Sequence, residues 1–284
     1  VIPAAFDYIA PASLAEALEV LGERGDSAKI IAGGQSLLPI LRMRLNAPDL
    51  VVDLGKVAEL RGVFDDGPGI VVGAMTTYSD FLADPLAQEH AGVLVDAVET
   101  IADPQIRHRG TIGGALAHAD PAGDVGAPAL AMEAEFVIVG PRGQRVVAGE
   151  DFFEDNFTTA VGDDEILAAV RLTKQSGWGH HYEKFVRVSH QWSVVAVAAA
   201  VRVEGDAIAE ARIGLTNMGT TPVRARACEE ALVGSALTEE AVGAACAGVA
   251  EGLNPPSDLN ADADYRRHLA TVLTRRAVLA AAGA

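Results

Sequence analysis

Apolar positions along this chain follow two periods, and each period marks an element. In 11-PASLAEALEVLGER-24, Leu14, Ala17, Leu18 and Leu21 recur at helical spacing, and Ser13 with Glu16 three residues on supplies a capping box. Short apolar runs bounded by turn residues predict strands at 29–32, 50–54, 70–74 and 166–172, and a hairpin over 135–148 turning at Pro141-Arg142-Gly143. Between them, helices are predicted after a cap near Thr77 or Ser79, at 92–102 and at 125–132. Beyond a turn at Gln175-Ser176-Gly177, strands are predicted at 182–188, 194–203 and 207–215, the last two joined at Glu204-Gly205-Asp206. Helices follow near 222–233, 238–251 and 262–282, the last with Tyr265, Leu269, Val272 and Leu279 on one stripe. No internal repeat is present. The change of texture near 177 predicts a domain at 1–177, with subdomains of about 1–55 and 56–177, and a second domain at 178–284.

Two stretches escape either period. The segment 103-DPQIRHRGTIGGALAHADPAGD-124 is rich in glycine and reads as a long loop, the kind that is functional inside a compact domain. The other is 31-IAGGQSLLP-39, where adjacent glycines imply a close approach to the backbone. Asp53 stands twenty residues after Gly33, as a ribose-binding acid would, but G-x-G-x-x-G is absent and Pro39 opposes a first helix there. A nucleophile elbow on Ser36 fails because Leu38 occupies the position that needs glycine. A third reading takes Gly33-Gly34-Gln35-Ser36 and Gly113-Gly114 as facing turns whose amides hold a pyrophosphate, with Gln35, Ser36 and Thr111 donating further; two purely structural turns are the alternative.

Composition narrows the choice. Half of the residues are hydrophobic, which fits a globular chain with a substantial core. The formal charge of −17 disfavours nucleic acid and anionic membrane partners. The longest apolar run, Val194–Val201, is too short to span a bilayer, residues 1–18 lack the pattern of a secretory signal, and a cytoplasmic protein is expected. Cys228 and Cys246 form no C-x-x-C pair and are expected as buried small residues, so no metal or iron–sulfur site is predicted in this chain.

The segments IAGGQSLLP at 31–39 and TIGGALAHADPAGD at 111–124 resemble the paired flavin signatures of the FAD-carrying medium subunit of molybdenum hydroxylases, a family that includes aerobic carbon monoxide dehydrogenase. The similarity extends over AFDYIAPASLAEAL, VVGAMTTYSDF, PVRARACEEALVG and DYRRHLATVLTRRA, essentially the whole chain. It implies an α+β fold: a two-part FAD-binding domain of the vanillyl-alcohol-oxidase type, then a smaller domain of antiparallel sheet and helices. It further implies non-covalent FAD, held by Ile30, Ile31, Ala32, Gly33, Gly34, Gln35, Ser36 and Leu37 in the first turn. Thr111, Ile112, Gly113, Gly114 and Ala115 would form the second, with Asp124 further along the dinucleotide, Ile101 in the cleft, Leu167 near the adenine and Lys184 close to the flavin.

Two positions depart from the family pattern. His190-Gln191-Trp192 replaces an acidic–aromatic pair, placing Trp192 near the isoalloxazine, and Ala115 replaces an acidic or amide residue. No catalytic residue is implied. By the resemblance, substrate is oxidised in a large molybdopterin-binding subunit, and electrons arrive through [2Fe-2S] clusters of a small subunit, in a dimer of heterotrimers. They leave through FAD to a quinone or other acceptor. Aerobic carbon monoxide dehydrogenase is the nearest type; a hydroxylase of an N-heterocycle or aromatic compound, a stand-alone FAD oxidoreductase and a flavin-free scaffold remain as alternatives. Among single residues, Arg107 and Arg109 are expected either to neutralise a phosphate or to face a partner. His108 and His118 with Asp103, Asp120 and Asp124 are expected to make ordinary hydrogen bonds rather than hold a metal.

Overall fold

The computed structural model describes residues 2–284. Strand β1 (Asp7–Ile9), helix α1 (Leu14–Arg24), β2 (Ala28–Ile31), α2 (Leu37–Met43) and β3 (Leu50–Asp53) form an N-terminal unit, whose parallel sheet has the order β1-β3-β2. Ser13 caps α1 by accepting from the Glu16 amide, while the Glu16 carboxylate reaches back to the amide of Ala12. Ala17 and Leu21 of α1 pack with Val52 and Leu54 into a small core of their own. Helix α2 corrects the expectation that Pro39 opposes a helix. The proline lies in the first turn, where its missing N–H would have had no intrahelical acceptor.

A second unit contains β4 (Val63–Asp66), β5 (Gly69–Gly73), α3 (Tyr78–Ala83), α4 (Pro85–His90), α5 (Gly92–Glu99), α6 (Pro104–Arg107), α7 (Ile112–His118) and α8 (Gly126–Ala131). It continues through β6 (Glu135–Gly140), β7 (Gly143–Ala148), α9 (Gly149–Phe152), β8 (Phe153–Asp155), β9 (Thr158–Thr159) and β10 (Ile166–Thr173). The main sheet is antiparallel, in the order β4-β5-β10-β6-β7. The stretch 103–124 is therefore not one loop: Asp103 caps α6 and Thr111 caps α7, each through its side chain. Helices of one or two turns are too short for a period to show.

The C-terminal unit has β11 (Gly179–Phe185), β12 (Val195–Glu204), β13 (Ala207–Thr216) and β14 (Val223–Arg224), antiparallel in that order, followed by α10 (Arg226–Leu232), α11 (Glu239–Cys246) and α12 (Ala263–Ala282). Strand β11 begins and ends before the predicted 182–188, leaving 186–193 as a loop, and α11 stops short of the predicted 251. The run Val194–Val201 is apolar throughout because both faces of β12 are covered. Val195, Val197, Ala199 and Val201 pack with α12, while Ala196, Ala198 and Ala200 join the core of the second unit. The predicted stripe on α12 is displaced. Tyr265 is exposed, and Arg266, Leu269, Ala270, Leu273, Ala277 and Val278 are buried, a face carried in part by alanines and an arginine that a stripe of large apolar residues does not trace.

Candidate functional site

The double glycine ends β2 and leads into α2. Gly34 has a φ of +74°, a left-handed conformation that suits glycine. Gly33 lies in the bend after β2, and a Cβ there would stand 2.1 Å from the carbonyl oxygen of Arg109. What lies against this glycine is thus the backbone that precedes the second signature. A Cβ on Gly114 would in turn stand 3.1 Å from the Ala32 side chain, and one on Gly113 would meet Ala74 at 2.3 Å. The glycines bring the two signatures together.

Their amides are used differently. Gly113 N–H donates to the Ala74 carbonyl at 2.9 Å, Ile112 N–H to Thr76 at 3.0 Å, and Gly114 N–H to Thr111 Oγ1 at 3.1 Å. Among the described residues, the amides of Gly34, Gln35 and Ser36 have no protein acceptor. Three successive unpaired N–H groups in a turn with a left-handed residue form an anion-binding concavity. The first signature has such a row of unpaired amides, and the second packs beside it.

Both signatures open onto a cavity of about 830 Å³, towards the upper end of what small-molecule and cofactor sites occupy. Ile30, Ala32, Gly33, Gly34, Gln35, Ser36 and Leu37 line it, as do Thr111, Gly113, Gly114 and Ala115. Ile101, Asp124, Leu167, Lys184 and Trp192 reach it from other elements. Ile31 and Ile112 do not: Ile31 lies under Gly34, and Ile112 is fully buried in the core. Neither Arg107 nor Arg109 lines the cavity, and the Arg107 guanidinium donates to the Ile101 carbonyl at 2.7 Å. His108 bonds to the Pro104 carbonyl and to Ser79, and no cluster of His, Cys, Asp or Glu fit for a metal occurs among the described residues. Cys228 and Cys246 are buried in the C-terminal core, with their sulfurs 3.8 Å apart.

Sequence reasoning missed several lining groups, among them Tyr78, His118, Phe157, Glu165 and His190. Ala102, Phe157 and His190 line the cavity with positive φ although none is glycine, and such strain gathers at functional sites. Tyr78 sits just after the Thr77 cap, the one local signal that could have found it; burial and the Asp124 charge push its hydroxyl pKa well up. Burial pulls the His118 pKa down despite Asp120, which favours a neutral imidazole in the wall. Glu165 accepts a two-pronged pair from Arg145 and a bond from the Gly162 amide, and its pKa falls to about 2.

Residues 4–174 match the model of the FAD-binding domain in molybdopterin dehydrogenases, and residues 180–281 match that of the carbon monoxide dehydrogenase flavoprotein C-terminal domain. The chain belongs to this flavoprotein family. It is 39% identical over 281 residues to the carbon monoxide dehydrogenase medium chain of Hydrogenophaga pseudoflava, covering 99% of this chain and 98% of that protein. A chain of the reconstituted CO dehydrogenase from Oligotropha carboxidovorans superposes with a TM-score of 0.96 at 38% identity, each chain covered in full. A chain of quinoline 2-oxidoreductase from Pseudomonas putida 86 superposes with a TM-score of 0.94 at 34% identity, covering 100% of this chain and 99% of that one. The family's cofactor suits the residues present: unpaired amides for an anionic bridge, glycines at the points of closest approach, and a cavity of dinucleotide size.

Proposed function

We propose that this chain binds FAD non-covalently between its two signatures and is the electron-exit medium subunit of a molybdenum hydroxylase of the aerobic carbon monoxide dehydrogenase type. The observation that carries the reading is the row of unpaired amides at Gly34, Gln35 and Ser36, residues that line a cavity of about 830 Å³, in a chain whose overall charge of −17 would otherwise repel an anion. These amides bind the pyrophosphate, and Gly33, Thr111, Gly113, Gly114 and Ala115 form the wall that lets it approach. Ile30, Ala32 and Leu37 supply apolar surface, Ile101 and Trp192 flank the ring system, Leu167 lies towards the adenine, and Lys184 with Asp124 faces the flavin. Ile31 and Ile112 support the turns from behind.

When bound, FAD supplies the redox chemistry that takes electrons from [2Fe-2S] clusters of a small partner subunit to a quinone or other acceptor. This chain's own residues bind, orient and shield. Substrate oxidation belongs to a large molybdopterin-binding subunit, and the assembly is a dimer of heterotrimers, cytoplasmic and at most peripheral to the membrane through other proteins. The domain division is placed near Gly177.

A hydroxylase of an N-heterocycle is the second reading, favoured by the likeness to a quinoline oxidoreductase chain over the full length. The test is the native assembly, purified, with its cofactors released and identified by mass and its metals counted. FAD with molybdenum and iron supports the subunit reading, and loss of flavin absorbance under carbon monoxide but not under quinoline decides the substrate. An assembly without flavin would overturn it.

A further inference from the structure

The carboxylate of Asp124 draws its three side-chain donors from the other domain. Its Oδ1 accepts from Tyr182 Oη at 2.9 Å and from Ser193 Oγ at 2.7 Å, and its Oδ2 accepts from Lys184 Nζ at 2.8 Å. Asp124 lies between α7 and α8 in the FAD-binding part, whereas the donors stand on β11 and at the base of the 186–193 loop. Asp124, Tyr182 and Ser193 are all buried. A second crossing lies beside the first. Asn217, with a φ of +63°, donates its backbone amide to the Pro121 carbonyl at 2.9 Å and its Nδ2 to the Ser193 carbonyl at 2.8 Å. The segment 121–124 is therefore tied twice to the residue that ends the loop.

That loop carries Trp192 to the cavity, yet the indole is 58% exposed and Val188 is 59% exposed, so the loop has little packing of its own. Arg187 donates to the Leu259 carbonyl and to Asn260 Oδ1, each at 3.3 Å, and the buried part of the loop's hold is at its base. A buried carboxylate that loses a donor is less well compensated, so undocking the loop at Ser193 carries the cost of removing one of the two donors to Asp124 Oδ1. Tyr182 and Asn217 line no part of the cavity, which sets them apart from cofactor-binding groups.

We propose that Tyr182, Ser193 and Asn217 are positioning residues that latch the 186–193 loop to the second signature and so fix where Trp192 and Lys184 stand over the cavity. Asp124, which itself reaches the cavity, is the shared acceptor of Tyr182 and Ser193. The proposal deepens the FAD reading and rests on it for the identity of what is positioned.

Tyr182→Phe and Ser193→Ala each delete one donor hydroxyl and add no bulk. In the full chain incubated with FAD, two signals are followed: tryptic cleavage after the exposed Arg187, identified by fragment mass, and the visible circular dichroism of bound flavin. Each variant should be cut after Arg187 about five-fold faster or more, with other tryptic sites unchanged and the flavin signal altered. Unchanged cleavage and an unchanged flavin signal would overturn the latch, as would acceleration spread evenly over all sites, which marks a purely structural role. A wild-type chain that takes up no FAD would instead overturn the cofactor reading, while the cleavage at Arg187 would still decide the latch.

Discussion

Gly33 and Gly34 are adjacent, yet a side chain would meet different obstacles at each. At Gly33 a Cβ would collide with the Arg109 backbone at 2.1 Å, and no rotamer can relieve that. Gly33→Ala should lower stability by about 1–3 kcal/mol, as overpacking does, and release flavin because the signatures part. At Gly34 the obstacle is the left-handed φ, costing about 1–2 kcal/mol, with only the flexible side-chain ends of Leu38 at 3.0 Å and Ile31 at 3.2 Å. Gly34→Ala should melt lower yet keep part of its flavin. Melting curves and flavin content of the two variants check this, and equal flavin loss in both would refute the distinction. Glu165 makes a second case at this scale. Pairing with Arg145 lowers its folded pKa to about 2, below its unfolded value, so the pair stabilises above about pH 4.5 and its contribution disappears as pH falls through the folded value. Arg145→Met should cost about 1–3 kcal/mol at neutral pH and little near pH 2, read from denaturant midpoints across that range.

At the scale of elements, what was legible followed from length. The helix at α1 showed its period and its cap, and the 135–148 hairpin showed its turn. Helices α6 and α7 were invisible because one or two turns are too short to show a period, and the single repeat Ile112–Leu116 of α7 is set among glycines, although Asp103 and Thr111 were in place as caps. The cavity was half legible for a related reason: glycine pairs mark a turn in sequence, but whether their amides are free depends on Ala74 and Thr76, which come from another segment. Contacts between elements also carry a pH dependence. His180 on β11 bonds to Asp96 on α5 at 2.7 Å, and that bond raises its pKa above the ordinary 6.5 despite partial burial. A raised folded pKa gives stability that is complete below the unfolded value and is lost as pH rises through the folded one. The melting temperature of the wild type should therefore fall from pH 6 to pH 8.5 more than that of His180→Asn, and parallel curves would show that the pair contributes nothing. The effect should be small, since both side chains are partly exposed.

Across the whole molecule, the C-terminal sheet is a shared layer. One of its faces packs under α12 and the other joins the core of the FAD-binding part, where Ala196, Ala198 and Ala200 keep the side chains small. The sequence carried the sign of this in the unbroken apolar run of β12, but periodicity alone cannot say which partner covers each face. One tight approach is at Gly214, where a Cβ would stand 2.2 Å from the Ala127 carbonyl of α8. Gly214→Ala must push the sheet away from α8. Because Lys184 and Trp192 reach the cavity from the C-terminal side, that displacement should weaken flavin binding at a distance from any cofactor-lining residue. The two parts would then unfold less cooperatively, and a single calorimetric transition should broaden or split. Following flavin fluorescence through the same scan tells whether release accompanies the first transition. Release at the first transition is the outcome expected if the docked sheet completes the cavity; flavin held through it, or an unsplit transition at the wild-type temperature, would mean that the FAD-binding part forms the site alone.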